Sequence, residues 1–306
     1  MLPDGRSHTR WTIWAGFAAL CVLVSNSWLL PTVPDDGASS IVRQSCLDGV
    51  LGMVALVATS PRLWVRLRES SLVLPRLAGV SVMLLGVPAV ASAWARGGVP
   101  DVSQAALFAL VPFIVVVVAM GREPGAGEEF AVRRFFAPAL AGFGGVLLLL
   151  SFNFPVSARG RTMFGVLLLA VVVTGVASAW IYRLLGGFTL MEAFAVVCLS
   201  NAVFLAVCSL LLGASWSRAW PLISISSLYY LLELVLLVWL LRAMSPVRLA
   251  ARYLVVPLLA VLEGLAILRP DFTVRMGAGL VLLAGGAGYI LFSRRQNSDA
   301  ALSVVG

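Results

Sequence analysis

Apolar segments follow one another along this chain from residue 11 to residue 293, and arginine residues cluster in every second gap between them. An apolar segment of about 20 residues is long enough to cross a bilayer as a helix. Arginine residues in short connecting loops hold those loops on the cytoplasmic side. Together the two patterns predict a chain that crosses a membrane repeatedly, with alternate loops on the same side.

The composition argues against a soluble fold. Of the 306 residues, 60% are hydrophobic and 12% are charged, and the mean hydropathy is +1.00. A soluble domain needs more charged residues than this to cover its exterior, whereas a bilayer removes that requirement. The net charge of +8 arises from arginines at the ends of the apolar segments, so it indicates topology and we expect no nucleic-acid partner.

The hydropathy pattern predicts an all-α integral membrane protein with ten transmembrane helices. Sorting the loops by alternate sides places fifteen arginines on one side and seven on the other. The richer side is predicted to be cytoplasmic, so both termini are predicted to lie in the cytoplasm. The predicted helices cover about 11–31, 44–60, 74–95, 102–121, 134–153, 163–185, 189–213, 221–242, 247–268 and 273–293.

The residue types disfavour metal and histidine chemistry. His8 is the single histidine and lies in the N-terminal tail. The four cysteines lie in or beside apolar segments without CxxC spacing, which argues against zinc sites and disulfide frameworks. We therefore expect no metal, no cofactor and no enzymatic activity.

An internal repeat relates the two halves of the chain. Pro112 in predicted helix 4 and Pro257 in predicted helix 9 each follow a valine inside an apolar helix, and a turn with proline and a glycine-rich helix come next. The spacing predicts two five-helix halves, residues 1–155 and 160–306. Five is odd, so the halves are inverted, as in many secondary transporters. The two prolines are predicted to kink or gate their helices, the alternative being that they have no special role.

Several short motifs give the chain a resemblance to a known family. They are the central Pro112, the turn Arg122-Glu123-Pro124, the small-residue run before Trp180, and Pro257 with the glycine-rich helix after it. With these motifs the chain resembles the EamA-type proteins of the drug/metabolite transporter superfamily, although Arg269 stands where that pattern has a glutamate.

The resemblance implies secondary active transport of a small organic solute such as an amino acid or metabolite, by export or uptake, and export is the expected direction. It also implies an alternating-access mechanism. The expected location is the bacterial inner membrane, which is the plasma membrane of the cell, and the chain is expected to cross it many times. The resemblance alone makes Trp180 a substrate-binding candidate.

Glu233 is the clearest functional candidate from the residues themselves. A charged side chain at the bilayer centre costs roughly 2.5–3.5 kcal/mol, so it needs a reason. Ser226, Tyr230 and Glu233 are spaced i, i+4 and i+7 and share one helix face. We predict that this face lines a solute site, where Glu233 binds an amine or carries a proton. The alternative is a carboxyl group kept neutral by burial, or one hydrogen-bonded to a neighbouring helix.

The remaining polar candidates are weaker. Glu263 lies toward the outer end of predicted helix 9 and belongs either to the solute path or to the outer interface. Asn26 can bind a solute or link two helices through a hydrogen bond. Asp48 and Glu192 are predicted at helix N-termini, where an acid is electrostatically favourable, so a structural role is predicted for both.

Three function classes stay open at this stage. Transport of a small solute across the lipid bilayer is the leading interpretation. The alternatives are an integral membrane enzyme acting on a lipid or isoprenoid substrate, and a membrane scaffold without transport activity. Substrate-driven uptake into vesicles separates the first class from the other two.

Overall fold

The computed structural model describes residues 5–29, 37–69, 73–120, 134–150, 155–214, 224–268 and 273–293. Within these ranges the chain is helical and contains no strand. Eight helices there are long and apolar enough to cross a membrane, and two shorter apolar helices cover Trp11–Ser25 and Phe136–Leu149. The prediction of an all-helical, multi-pass membrane protein is confirmed at this level.

We label the helical segments in chain order. They are α1 (Gly5–Ser25), α2 (Gly37–Glu69), α3 (Val73–Ala95), α4 (Asp101–Met120), α5 (Phe136–Leu149), α6 (Ala158–Leu185), α7 (Leu190–Leu211), α8 (Ile225–Ala243), α9 (Pro246–Ile267) and α10 (Val274–Phe292).

The second helix differs most from its predicted bounds. It begins at Gly37, before the predicted start near residue 44, and continues to Glu69. Hydropathy marks where lipid contact begins, whereas backbone hydrogen bonds continue a helix through polar residues on either side. Asp48 therefore lies inside the helix, about three turns from its start, and its predicted place at a helix N-terminus is wrong.

Helices from the two predicted halves pack against one another. α2 runs along α7, and α5 runs along α10. α1 packs on α8 and α9, while α6 packs on α3 and α4. The buried apolar core lies between these helices and includes Leu20, Leu240 and Leu283.

Glycines bring α5 and α10 into backbone contact. A Cβ atom at Gly286 would lie 2.5 Å from the carbonyl oxygen of Pro138 and 2.7 Å from the amide nitrogen of Gly142. A Cβ atom at Gly145 would lie 2.7 Å from the carbonyl oxygen of Gly279. These glycines therefore permit the close contact between the two helices.

Three of the membrane helices are interrupted. α3 contains a π-helical turn at Val82–Gly86, and α4 breaks between Phe108 and Val111. α9 breaks at Ala251, after which its second segment begins at Arg252 and contains Pro257. The gating role of Pro257 and of its counterpart in α4 stays a prediction.

A capping box begins α7. The Thr189 hydroxyl accepts a hydrogen bond from the backbone nitrogen of Glu192 at 3.4 Å. The Glu192 carboxylate in turn accepts one from the backbone nitrogen of Thr189 at 2.7 Å. This pairing satisfies two amide groups that otherwise lack partners at a helix start. The predicted structural role of Glu192 is confirmed.

We expect Thr189→Ala to lower the free energy of unfolding by about 1 kcal/mol, because the cap is lost. The measurement is denaturant unfolding of the purified protein in detergent. Thr162→Ala is the control, since Thr162 is exposed and its hydroxyl bonds only the carbonyl of Ala158 within its own helix. Equal losses in the two variants would contradict the capping role.

Candidate functional site

A buried polar cluster joins α2, α7 and α8. Asp48 has 0% of its surface exposed. Its Oδ1 accepts a hydrogen bond from the Tyr230 hydroxyl at 2.6 Å, and its Oδ2 accepts a short one from Nδ2 of Asn201. We call Gln44, Asp48, Asn201 and Tyr230 the Asp48 cluster. Its carboxyl group is held by donors from two other helices, which accounts for its tolerance inside an apolar bundle.

Gln44 fixes the direction of the Tyr230 hydroxyl. Nε2 of Gln44 lies 3.0 Å from the Tyr230 oxygen and donates to it. Because the phenol oxygen accepts this bond, its own hydrogen is free to point at Asp48. Two residues one turn apart on α2 thus act together: Asp48 supplies the carboxyl group, and Gln44 orients the Tyr230 hydroxyl that donates to it.

Asn201 has one unused polar atom. The residue is fully buried, and its Oδ1 has no hydrogen-bond partner within the described ranges. This oxygen faces Gly86, where a Cβ atom would lie 2.8 Å away. Gly86 ends the π-helical turn of α3, so the absence of a side chain there leaves room for the Asn201 amide.

The predicted polar face of α8 divides between two surroundings. Tyr230 joins the Asp48 cluster, whereas Ser226 lies in the first turn and its hydroxyl is 2.8 Å from that of Ser224. Glu233 is partly buried and interacts electrostatically with Arg252 of α9. The helical periodicity puts these three side chains on one face of α8, but the packing of the helices gives each of them a different neighbour.

A narrow cleft lies at the end of the bundle predicted to face the cytoplasm. Its cavity volume is about 10 Å³, roughly the room needed for one water molecule. Polar groups from α6 and α9 line it, and its apolar wall comes from α3, α8 and the turn between α8 and α9. The polar residues are Ser178, Tyr182, Arg252 and Tyr253.

Arg252 lies where the second segment of α9 begins. One of its Nη atoms donates to the Tyr253 hydroxyl at 2.9 Å, and its guanidinium carbon lies 4.8 Å from the centre of that ring. The Tyr253 ring stacks on Phe108 of α4, with ring centres 6.1 Å apart and planes 18° from parallel. The arginine is thus fixed at the contact between α4 and α9.

Each ring of this stack lies four residues before a proline. Phe108 precedes Pro112 by four residues in α4, and Tyr253 precedes Pro257 by four in α9. Proline has no amide hydrogen, so the carbonyl four residues earlier lacks its helical partner. Phe108 and Tyr253, which stack on one another, thus occupy the same position relative to a proline in α4 and α9.

The other predicted site residues lie away from this centre. Glu263 accepts a hydrogen bond from the buried Ser25 hydroxyl at 2.7 Å, which links α9 to the end of α1. Asn26 follows at once, in a short 3-10 turn, and is partly exposed. Trp180 is 50% exposed on the outside of the bundle. A substrate contact for each of the three stays a prediction.

Comparison with known proteins adds a likeness of fold. No protein-family model and no curated protein matches the chain. Fifteen chains of solved structures do match it. One, a crystal structure, has 16% identity, with 92% of this chain and 98% of that chain covered and a TM-score of 0.61. The helical arrangement is therefore shared over nearly the whole of both chains, and at this identity the likeness concerns the fold alone.

Asp48 and Asn201 are central to this cluster, although neither is a predicted site residue. The apolar pattern puts Asp48 near a helix start, and Asn201 lies inside an apolar helix, where an amide commonly links two helices through a hydrogen bond. A signal was available for Asp48, because an acid four residues after a glutamine in an apolar helix shares its face. Nothing in the sequence pairs either residue with Tyr230, which lies 182 positions from Asp48.

Proposed function

We propose that the protein is a secondary active transporter of a small organic solute, such as an amino acid or metabolite, in the bacterial inner membrane. It has ten transmembrane helices in two inverted five-helix halves. It works by alternating access in the direction of export. It needs no cofactor and carries out no enzymatic reaction. The EamA-type proteins of the drug/metabolite transporter superfamily are the family that we propose for it.

The pattern of helix contacts supports the inverted repeat. Five can be added to each helix number, with α1 following α10. The contacts of α1 with α8 and α9 then become the contacts of α6 with α3 and α4. The same operation maps the α2–α7 and α5–α10 pairs onto themselves. Such an exchange is expected of two halves related by a pseudo-two-fold axis in the membrane plane.

The Phe108–Tyr253 stack carries the proposal of transport. In transporters built from inverted repeats, solute sites lie where interrupted helices in equivalent positions of the two halves meet. Here α4 and α9 are equivalent by the five-helix shift, each is interrupted, and in each the stacked residue comes four residues before a proline. Tyr253 also lines the cleft, and its carbonyl, which Pro257 cannot bond in the helix, can accept a hydrogen bond from a solute.

The charges near the stack suggest how a solute binds. Arg252 presents hydrogen-bond donors to the cleft and suits a carboxylate or another anionic group. Glu233 on the facing helix α8 suits an amine. The hypothesis that Glu233 binds an amine is retained in this arrangement, and Arg252 would bind an anionic group of the same solute.

Ligand binding to the purified protein tests the proposal. We expect a thermal-shift screen of amino acids, amines and organic acids to find a solute that raises stability, by about 2.7 kcal/mol at a concentration a hundredfold above the dissociation constant. Vesicles that contain the protein should then exchange labelled solute with unlabelled solute across the membrane. A stabilising solute that is never exchanged would overturn transport, and chemical conversion of a bound lipid would favour an enzyme.

A further inference from the structure

The Asp48 cluster connects the two proposed halves. Gln44 and Asp48 lie on α2 of the first half, whereas Asn201 and Tyr230 lie on α7 and α8 of the second. A displacement of α2 against α7 or α8 would break or remake the hydrogen bonds at Asp48. A carboxylate that loses its donors inside an apolar bundle is strongly destabilised and becomes neutral by taking up a proton.

We propose that Asp48 is a proton-binding site that couples the transport cycle to a proton gradient. One proton moves from water to a carboxylate oxygen of Asp48, forming an O–H bond and changing the charge of the group from −1 to 0. Release reverses the step and returns the proton to water. The coupling role rests on the proposed transport function, whereas proton binding by Asp48 does not.

Asn201 supplies the acceptor that the protonated acid needs. In the structure Asn201 donates to Asp48, and its buried Oδ1 has no partner among the described residues. Rotation of the amide exchanges its oxygen and nitrogen, because the two ends have nearly the same shape. Oδ1 then accepts from the new O–H group, and the NH₂ group turns toward Gly86, where a side chain is absent. Asn201 is thus a positioning residue for both protonation states.

The surrounding donors favour a proton over a metal ion. Gln44 donates to the Tyr230 hydroxyl, which directs the hydrogen of that hydroxyl at Asp48. The second contact on the carboxyl group is also an N–H donor, from Asn201. A sodium ion would need oxygen lone pairs where these two groups present hydrogens.

Few other ionisable groups face Asp48 from the helices packed on α2. Cys198 of α7 and Tyr230 of α8 interact with it electrostatically, and Glu233 of α8 acts in turn on Tyr230. The charged residue of α3 is Arg76, which is exposed near the start of that helix. Glu192 of α7 is also buried, but it lies in the first turn of that helix, where its carboxylate accepts a hydrogen bond from the Thr189 backbone nitrogen. Asp48 is therefore the buried carboxyl group in this region that hydrogen bonds join to the other half.

Infrared difference spectroscopy of the full chain in lipid nanodiscs, recorded between high and low pH, tests proton binding. We expect a carboxylic-acid C=O band in the wild type that is absent in Asp48→Asn. Asp101→Asn and Glu233→Gln should keep the band. Asp101 is the matched control, because it is an exposed aspartate at the start of α4. A band that disappears in Glu233→Gln and persists in Asp48→Asn would overturn the assignment.

A second variant covers the case in which Asp48→Asn does not fold. Tyr230→Phe keeps the acid and removes one hydrogen bond to it, so the band should persist at a shifted frequency, and an unshifted band contradicts the proposal. A wild-type protein that shows no band, but gains thermal stability in sodium chloride relative to choline chloride, holds sodium and also overturns it.

Vesicle measurements separate this proposal from the transport function. If both hold, Asp48→Asn exchanges solute at a rate close to that of the wild type but no longer accumulates it in response to a pH gradient. Unchanged gradient-driven accumulation in Asp48→Asn contradicts coupling through Asp48. If wild-type vesicles exchange no solute while the infrared band is assigned to Asp48, transport fails and proton binding stands.

Discussion

Gly286→Val should lower the free energy of unfolding by about 3 kcal/mol, because overpacking at a tight helix contact forces backbone shifts. The new Cβ atom would lie 2.5 Å from the carbonyl oxygen of Pro138, and backbone atoms cannot move away as a flexible side chain can. The α5–α10 pair is one of the two most extensive contacts between the proposed halves. Unfolding of the purified protein in mixed micelles, together with the yield of monodisperse protein, measures the effect.

Gly288→Val is the matched control for this prediction. It lies two residues further along α10, and nothing lies within 4 Å of the position that its Cβ atom would occupy. Both variants carry the same intrinsic cost of placing valine in a helix. The difference between them therefore reports the helix contact, and losses of equal size would show that α5 and α10 are not packed as described. Gly145→Val against Gly144→Val repeats the comparison from α5.

Arg252→Gln should weaken solute binding about tenfold to a hundredfold. A hydrogen bond to a charged group contributes roughly 1.5–3 kcal/mol, and 1.4 kcal/mol is a factor of ten in affinity. The arginine is fixed by its contacts with Tyr253 and presents the positive charge of the cleft. The measurement is the solute concentration that gives half of the maximal thermal shift, and then half of the maximal exchange in vesicles.

Arg248→Gln tests whether any arginine in this part of the protein has the same effect. It removes the same charge from the preceding turn of α9, where Arg248 donates to the backbone oxygen of Ser293 outside the cleft. We expect binding to change by less than about twofold in this variant, since it keeps Arg252 and removes a charge that does not line the cleft. Arg252→Lys should be intermediate, because lysine keeps the charge but lacks the planar fork of donors. Equal losses in Arg252→Gln and Arg248→Gln would contradict a direct contact with the solute.

Local sequence predicted the helices well and their neighbours poorly. α6, α7 and α10 begin within about five residues of their predicted starts, because hydropathy and the flanking glycines and prolines act over a few residues. α2 was the exception, since its ends extend beyond the lipid-facing segment. That one boundary changed the interpretation of Asp48 from a helix-start residue to the centre of a polar cluster.

The sequence by itself determined that the chain is helical and crosses a membrane many times, because the hydrophobic effect and the backbone hydrogen bonds of a membrane helix act within one segment. It also placed Phe108 and Tyr253 four residues before their prolines. Only the tertiary structure decided that these two rings stack, and that Asp48 receives hydrogen bonds from residues 153 and 182 positions away. Such contacts depend on which helix faces pack together, and in an apolar bundle many faces are nearly equivalent until a few glycines and buried polar groups select one arrangement.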